Sequence, residues 1–326
     1  MPQNHATVSR RSVLAAASLA IPLFARAQAY PAQPVRMIVP YPAGGGADAV
    51  ARLLAQHMSI GVGQSFVVEN KPGAAGVIGN DYVAKSPKDG YTLLYAGTPF
   101  ALSPALVAKL PYRTVEDFAA VTQTVRNPNL VLVPQNSPFE TVQQLVAFGR
   151  ANPGKLTYGA TPGASQHLAS ALFASQTNMK MTFVPYKGGG QILTDLLGGH
   201  ISTYFANAAS GLPHVKAGKL RALATTSAAR APSLPDVPTV SETVIPGFQV
   251  YEWNGLLAPA GTPRAIVERL QAEAHRALRS PEMGESLAKL GAEPVGSRPE
   301  EFAAYLASEM QRWTAVAKAN NIDLKE

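Results

Sequence analysis

The sequence predicts an α/β fold with two domains joined by two crossover segments. Short apolar runs alternate with amphipathic helical patterns, and this alternation is typical of βαβ units built on a parallel sheet. Strand–turn–helix units occur in two blocks, at roughly residues 30–120 and 130–230. Extended segments near 119–134 and 248–258 separate and rejoin the blocks, so we expect them to be the crossovers. We also expect a ligand cleft between the domains, where such folds bind small molecules.

The first block contains three predicted strands. An apolar run at 35–40 passes through glycines into a helix at 47–58, whose apolar residues recur on one face. The strand at 66–70 enters a second glycine-rich turn before another helix. The third strand, 92–97, opens into the segment 98–104.

The second block repeats the alternation, and helices complete the chain. The predicted strands are 118–125, 129–134, 156–160, 181–186, 201–207 and 220–226, followed by the extended segment 248–258. The predicted helices are 142–151, 167–176, 192–197, 264–278, 282–290 and 300–319. We expect the last three helices to return to the first domain and complete it.

Composition favours a globular protein and argues against a nucleic-acid partner. Of the 326 residues, 46% are hydrophobic and 15% are charged, which suits a substantial core. The formal net charge of +7 falls to +4 without the first 29 residues, which hold three arginines and no acidic residue. Because Lys and Arg form no cluster elsewhere, we expect no nucleic acid to bind.

The first 29 residues have the pattern of an export signal. Arg10 and Arg11 precede the apolar run Val13–Phe24, which is too short to span a bilayer. Small residues fit cleavage after Ala27 or Ala29, so we expect a periplasmic mature protein. The arginine pair fits a twin-arginine signal, but a Sec signal also has a positive start, so the export route stays open.

Several kinds of chemical site are not predicted. The chain has no cysteine, which removes disulfides, thiol nucleophiles, thiolate metal sites and a lipid-anchored cysteine. The histidines lack metal-site spacing, so we expect neither a metal nor another cofactor. Ser165 and His167 suggest a hydrolase, but residues two apart at a helix start point in different directions, and no Gly-x-Ser-x-Gly motif surrounds Ser165. We therefore do not expect an enzyme.

The glycine loop Pro42–Asp48 is the most informative local motif. It contains three consecutive glycines between a strand and a helix, and glycine lets a ligand approach the backbone closely. A helix N-terminus offers unpaired N–H groups and a partial positive charge, which favour a bound anion. By itself the loop fits either a carboxylate or phosphate site or an ordinary βα turn.

Motifs along nearly all of the mature chain extend this interpretation. In order they are Tyr41-Pro-Ala-Gly-Gly-Gly-Ala-Asp48, Val68-Glu-Asn-Lys-Pro-Gly-Ala-Ala-Gly76, Lys88-Asp-Gly-Tyr-Thr-Leu-Leu94, Pro185-Tyr-Lys-Gly-Gly189, Leu193-Thr-Asp-Leu-Leu-Gly-Gly199, Gly218-Lys-Leu-Arg-Ala-Leu-Ala224 and Leu234-Pro-Asp-Val-Pro-Thr239. Together they resemble the substrate-binding proteins of tripartite tricarboxylate transporters, also called the Bug family.

The resemblance implies a type II periplasmic binding protein that captures a small carboxylate and delivers it to membrane transporter subunits. The ligand would be a di- or tricarboxylate or an aromatic carboxylate, and we expect a monomer. The resemblance places the ligand between two facing βα loops, here 42–48 and 161–167, held by backbone amides and ordered water. We expect domain I to comprise 30–124 plus 248–326, and domain II to comprise 125–247. A ligand sensor that docks on a membrane receptor is an open alternative.

The two loops and neighbouring strand ends supply the predicted ligand contacts. These are backbone groups of Ala43, Gly44, Gly45, Ala47, Pro162, Gly163 and Ala164, and side chains of Asp48, Thr98, Ser165 and Asn207. Asp48 has a second interpretation, as a helix cap or a residue that positions water.

Two departures from the family pattern bear on the ligand. Many members have an aspartate where this chain has Ala206, and that aspartate would pair with a ligand ammonium group. The sequence therefore argues against an amino-acid ligand, unless Ala206 merely packs. Phe100, Tyr251 and Trp253 suit either an apolar wall for an aromatic carboxylate or packing in the core or hinge.

Overall fold

The computed structural model describes residues 30–322, so the predicted export signal and its cleavage site lie outside the described residues. Strands and helices alternate as the sequence predicts, which confirms the α/β class. The first elements are β1 (Val35–Val39), α1 (Gly46–Val62), β2 (Phe66–Asn70), α2 (Val77–Ala84), β3 (Thr92–Gly97), α3 (Thr98–Leu106) and β4 (Phe118–Pro134). The next are α4 (Val142–Ala151), β5 (Leu156–Ala160), α5 (Ser165–Gln176), β6 (Met181–Pro185), α6 (Gly189–Leu197), β7 (Tyr204–Asn207), α7 (Ala208–Lys216) and β8 (Leu220–Thr225). The last are α8 (Val240–Thr243), β9 (Tyr251–Pro259), α9 (Arg264–Leu278), α10 (Pro281–Lys289), β10 (Glu293–Pro294) and α11 (Pro299–Ala319).

Two helices that the sequence did not predict follow strands directly. Helix α3 starts at Thr98 with Pro99 in its first turn, where the missing proline N–H costs no hydrogen bond. Helix α7 starts after Asn207, whose side-chain Oδ1 accepts a hydrogen bond from the Ala209 N–H at 2.9 Å. This cap satisfies a free N–H of the first turn.

The predicted domain I is built on a mixed sheet with the order β2-β1-β3-β9-β4-β10. Strand β1 pairs in parallel with β2 and β3, and β9 runs antiparallel between β3 and β4. Because the parallel strands point the same way, the loops that follow β1 and β3 lie at one edge of the sheet.

Strand β4 belongs to both halves of the molecule. Its residues Phe118–Pro128 pair with β9, and its residues from Asn129 onwards pair with β7 and β8. The sequence predicted two separate segments here, and the structure has one continuous 17-residue strand with local register shifts. The second connection leads into β9, and just before this strand the Val250 N–H donates to the Thr226 carbonyl oxygen at 3.0 Å. We propose a division into 30–124 plus 248–326 and 125–247, with both boundaries inside these two connections.

The buried residues form several clusters, one of which contains residues of both halves. Helices α1, α9 and α10 cover one face of the first sheet. Helix α11 contributes to both halves. Its Phe302 and Leu306 pack with Trp253, whereas its Trp313 packs in a cluster that also contains Phe173 of α5.

Candidate functional site

A cavity of about 750 Å³ lies where the two halves meet. Its wall contains first-turn residues of four helices, α1, α3, α5 and α7, together with residues of β9. Each of these helices follows the carboxyl end of a strand, namely β1, β3, β5 and β7. Because a helix N-terminus has free N–H groups and a partial positive charge, this cavity has a backbone environment that favours an anion.

The first glycine loop forms one side of the cavity. Ala43, Gly44, Gly45 and Ala47 all line it, as the sequence predicted for ligand contacts. Gly44 has φ +82°, a left-handed conformation that glycine adopts without strain. A Cβ added at Gly45 would meet only the Pro42 carbonyl oxygen, at an ordinary 3.6 Å. The fold would therefore tolerate a side chain at Gly45, and the glycine keeps space free at the cavity.

Asp48 lies behind this loop and is absent from the cavity wall. It is buried, and its Oδ2 accepts hydrogen bonds from the Gly44 N–H at 2.9 Å and from Arg52 at 3.0 Å. Its Oδ1 accepts from Asn70 at 2.9 Å. The Arg52 hydrogen bond, helped by those from Gly44 and Asn70, lowers the pKa of Asp48 to about 2 despite its burial. Asp48 thus fastens the loop to α1 through Gly44, but it does not cap the helix, because no side chain within residues 30–322 bonds to the first-turn N–H groups of α1.

The second predicted loop contributes only its last residues to the cavity. Ala164 and Ser165 line the wall, whereas Pro162 and Gly163 do not. The Gly163 N–H donates to Nδ1 of His167 at 3.2 Å, and the His167 ring stacks on Phe183 with centroids 4.1 Å apart. Burial lowers the pKa of His167, which favours the neutral ring that can accept this bond. His167 therefore shapes the loop.

Glu252 of β9 is the main site residue that the sequence reasoning missed. Ser165 Oγ donates to Glu252 Oε1 at 2.8 Å, and Asn207 Nδ2 donates to Oε2 at 2.9 Å. Two of the predicted ligand-binding side chains are thus bonded to a carboxylate of the protein itself. Removal from bulk water raises the pKa of Glu252, and the hydrogen bonds from Ser165 and Asn207 act in the opposite direction. A lone acid in the otherwise uncharged run 251–258 was the available sequence signal.

Other side chains complete the wall. Thr98 lines it and accepts a hydrogen bond from the Trp253 N–H at 3.0 Å, so its hydroxyl joins α3 to β9. Asn127 and Gln166, also missed from sequence, line the wall too. The Asn127 Oδ1 and Gln166 Oε1 atoms are buried and have no hydrogen-bond partner among the described residues.

The residues considered for ligand discrimination are mostly packed. Phe100 is 1% exposed and packs against Tyr112 and Phe118. The Tyr251 hydroxyl accepts from the Ala228 N–H at 2.7 Å, outside the cavity wall. Ala206 is fully buried in a core cluster, so its identity gives no structural reason to exclude an amino-acid ligand. Packing is the role that the structure shows for Phe100, Tyr251 and Ala206, whereas Trp253 lines the cavity although it is only 1% exposed.

A cleft between two α/β halves, lined by helix N-termini, defines a two-lobed solute-binding protein. Over residues 50–322 the sequence matches the family described as "Tripartite tricarboxylate transporter family receptor". The chain belongs to this family, which confirms the resemblance and the type II periplasmic binding fold. The family consists of periplasmic solute-binding proteins rather than enzymes, which confirms the prediction made from the sequence.

Similar proteins include a curated sequence relative and two proteins solved with carboxylates. Protein BugT of Bordetella pertussis is 36% identical over 315 residues, covering 96% of each chain. The R. palustris protein Rpa4515, solved with adipate, is 36% identical with a TM-score of 0.77, over 90% of this chain and 99% of that one. MatC from Rhodopseudomonas palustris, solved with bound malate, is 32% identical with a TM-score of 0.72, over 88% and 99%. Between residues 30 and 322, no helix is both long and apolar enough to cross a membrane.

Proposed function

We propose that this protein captures a small carboxylate in the cavity and delivers it to a tripartite tricarboxylate-type membrane transporter. The observation that supports this most is the meeting of four helix N-termini at one cavity. Free N–H groups can hold a carboxylate through charge-assisted hydrogen bonds without a basic side chain. The relatives solved with adipate and malate bind ligands of this class.

The proposed binding mode uses the first glycine loop as its main contact. Backbone groups of Ala43, Gly44, Gly45 and Ala47 face the ligand, with Ala164 on the opposite side. We also propose that the protein is exported, with its signal cut after Ala27 or Ala29, and acts as a monomer.

A melting screen tests the carboxylate assignment. A ligand that binds only the native state raises the melting temperature by mass action. We expect at least one small carboxylate to do so in a panel of mono-, di- and tricarboxylates, aromatic carboxylates and amino acids. Uncharged amides and alcohols of matching size are the controls. A panel in which no carboxylate shifts the melting temperature contradicts the proposal.

Uptake into vesicles tests the proposed delivery. Transporter subunits reconstituted in vesicles should import the labelled carboxylate only when this protein is present. Absence of uptake, together with ligand-dependent binding to a membrane receptor, would instead identify the protein as a sensor.

A further inference from the structure

The charge of the cavity wall is unusual for a site that would accept a dicarboxylate. Glu252 is a carboxylate inside the wall, and none of the described residues that line the cavity is Lys, Arg or His. A doubly charged ligand would therefore meet a third negative charge with no cationic side chain to offset it. Backbone N–H groups of the helices provide the available positive potential.

On the side of α5 and α7, the carboxylate of Glu252 already takes hydrogen bonds that a bound anion could otherwise receive. Its two oxygens accept from Ser165, in the first turn of α5, and from Asn207, the cap of α7. The single oxygen of the Asn207 amide, Oδ1, accepts from the Ala209 N–H, which fixes the amide with Nδ2 towards Glu252. These two helices thus hold an internal carboxylate where a ligand carboxylate would otherwise bind.

Asn127 and Gln166 place side-chain amides in the wall beside Glu252. Asn127 lies opposite Glu252 in the β4–β9 register, which puts the two side chains on one face of the sheet. Its Oδ1 has no partner within residues 30–322, and the same holds for Oε1 of Gln166, next to Ser165. Both oxygens are buried away from the cavity surface, so Glu252 is the acceptor side chain that we assign to a ligand at this wall.

The opposite side has backbone donors at Gly45 and Gly46, whereas the Gly44 N–H already donates to Asp48. Gly44, Gly45 and Gly46 line the cavity at the start of α1, and no side chain covers their backbone. A Cβ placed on Gly44 or Gly46 would meet nothing within 4 Å. This side has space and N–H groups for one ligand carboxylate.

Building on the proposed function, we propose that Glu252 replaces a second ligand carboxylate. The ligand is then a small monocarboxylate whose other end carries a hydrogen-bond donor, a hydroxyl or an ammonium group, directed at Glu252. Its carboxylate binds at the glycine loop of α1. Glu252 is accordingly a specificity-determining residue that disfavours dicarboxylates.

Calorimetry with matched ligands tests this assignment. For each chain length from four to eight carbons, the set comprises the dicarboxylate, the ω-hydroxy acid, the ω-amino acid and the unsubstituted monocarboxylate. At the best length, we expect the wild type to bind the hydroxy or amino acid at least ~10-fold more tightly than the dicarboxylate, through like-charge repulsion and donor pairing. The stronger of the two donor-bearing ligands identifies the donor as hydroxyl or ammonium.

Glu252→Gln keeps the side-chain size and removes the charge. We expect it to bind the dicarboxylate at least ~10-fold more tightly than the wild type does, because the repulsion is lost. Equal dicarboxylate affinity in both proteins, or a wild type that prefers the dicarboxylate, would overturn the inference and leave the proposed function standing. Failure of every carboxylate to bind either protein would overturn both.

Discussion

Asp48 shows how one buried side chain stabilises the loop on which the proposed binding mode depends. Its carboxylate joins the Gly44 N–H, Arg52 and Asn70, so three segments of chain meet at one group. Hydrogen bonds to the charged form keep the pKa of Asp48 low, at about 2 against an ordinary 3.8. The charged form therefore stabilises the folded state.

Asp48→Asn should lower the free energy of unfolding by about 1–2 kcal/mol at pH 7, discounted because Arg52 is half exposed. The folded pKa is lowered, so this stabilisation is present above about pH 4 and is lost as the pH falls through about 2. Urea unfolding of both proteins at several pH values should show their difference shrinking between pH 4 and pH 2.

Asp81→Asn is the matched control for this effect. Asp81 also pairs with a basic residue four positions along the chain, Lys85. The Asp81 side chain is 26% exposed, whereas that of Asp48 is 5% exposed. We expect less than about 0.5 kcal/mol of change, as for other surface ion pairs. Equal losses for Asp48→Asn and Asp81→Asn would show that burial of the loop carboxylate contributes nothing.

At the scale of elements, the site is an arrangement of helix starts. Asn207 has two tasks at the start of α7, because Oδ1 caps the helix and Nδ2 holds Glu252. The side chain therefore links the stability of a helix to the geometry of the cavity wall.

Two substitutions separate these tasks. Asn207→Ala removes the cap and should cost about 1 kcal/mol in urea unfolding, whereas Asn207→Ser retains a capping oxygen and should cost much less. Both remove the Nδ2 hydrogen bond to Glu252, so both should change ligand affinity in calorimetry. A serine variant as unstable as the alanine variant would show that capping is not the stabilising role of Asn207.

Local patterns were sufficient to predict most elements and the first glycine loop, and insufficient for helices α3, α7 and the four-residue α8. Pro104 lies inside α3 and Pro213 lies inside α7, so local preference argues against helix where tertiary packing stabilises it. Glu252 and Asn127 could not be paired from sequence either. Their register depends on a strand pairing between positions 125 residues apart, which no local pattern encodes.

At the scale of the whole molecule, β4, β9 and α11 connect the two halves. Strand β4 pairs with strands on both sides of the cavity, and α11 packs into core clusters on both sides. Rotation of one half against the other about these connections would change the cavity, and it would also shift the contacts of Trp313 with the cluster that contains Phe173. A ligand favours the closed state only through contacts that it makes there.

Small-angle X-ray scattering tests this closure. With the carboxylate that raises the melting temperature most, we expect a smaller radius of gyration than in the ligand-free protein. An uncharged amide of the same size serves as the control and should leave the scattering curve unchanged. Saturating carboxylate that leaves the radius of gyration unchanged would show that binding does not close the two halves.

The central claim is that the start of α1 holds the ligand, and calorimetry on Gly45→Val tests it most directly. Gly45 and Gly188 are both uncrowded helix-capping glycines with extended ψ, but only Gly45 lines the cavity. We expect Gly45→Val to lose at least ~10-fold in carboxylate affinity, since the valine side chain fills the space beside the N–H groups. Gly188→Val should keep wild-type affinity, and both variants should keep the fold. Wild-type affinity in Gly45→Val would contradict the claim and remove this loop from the site.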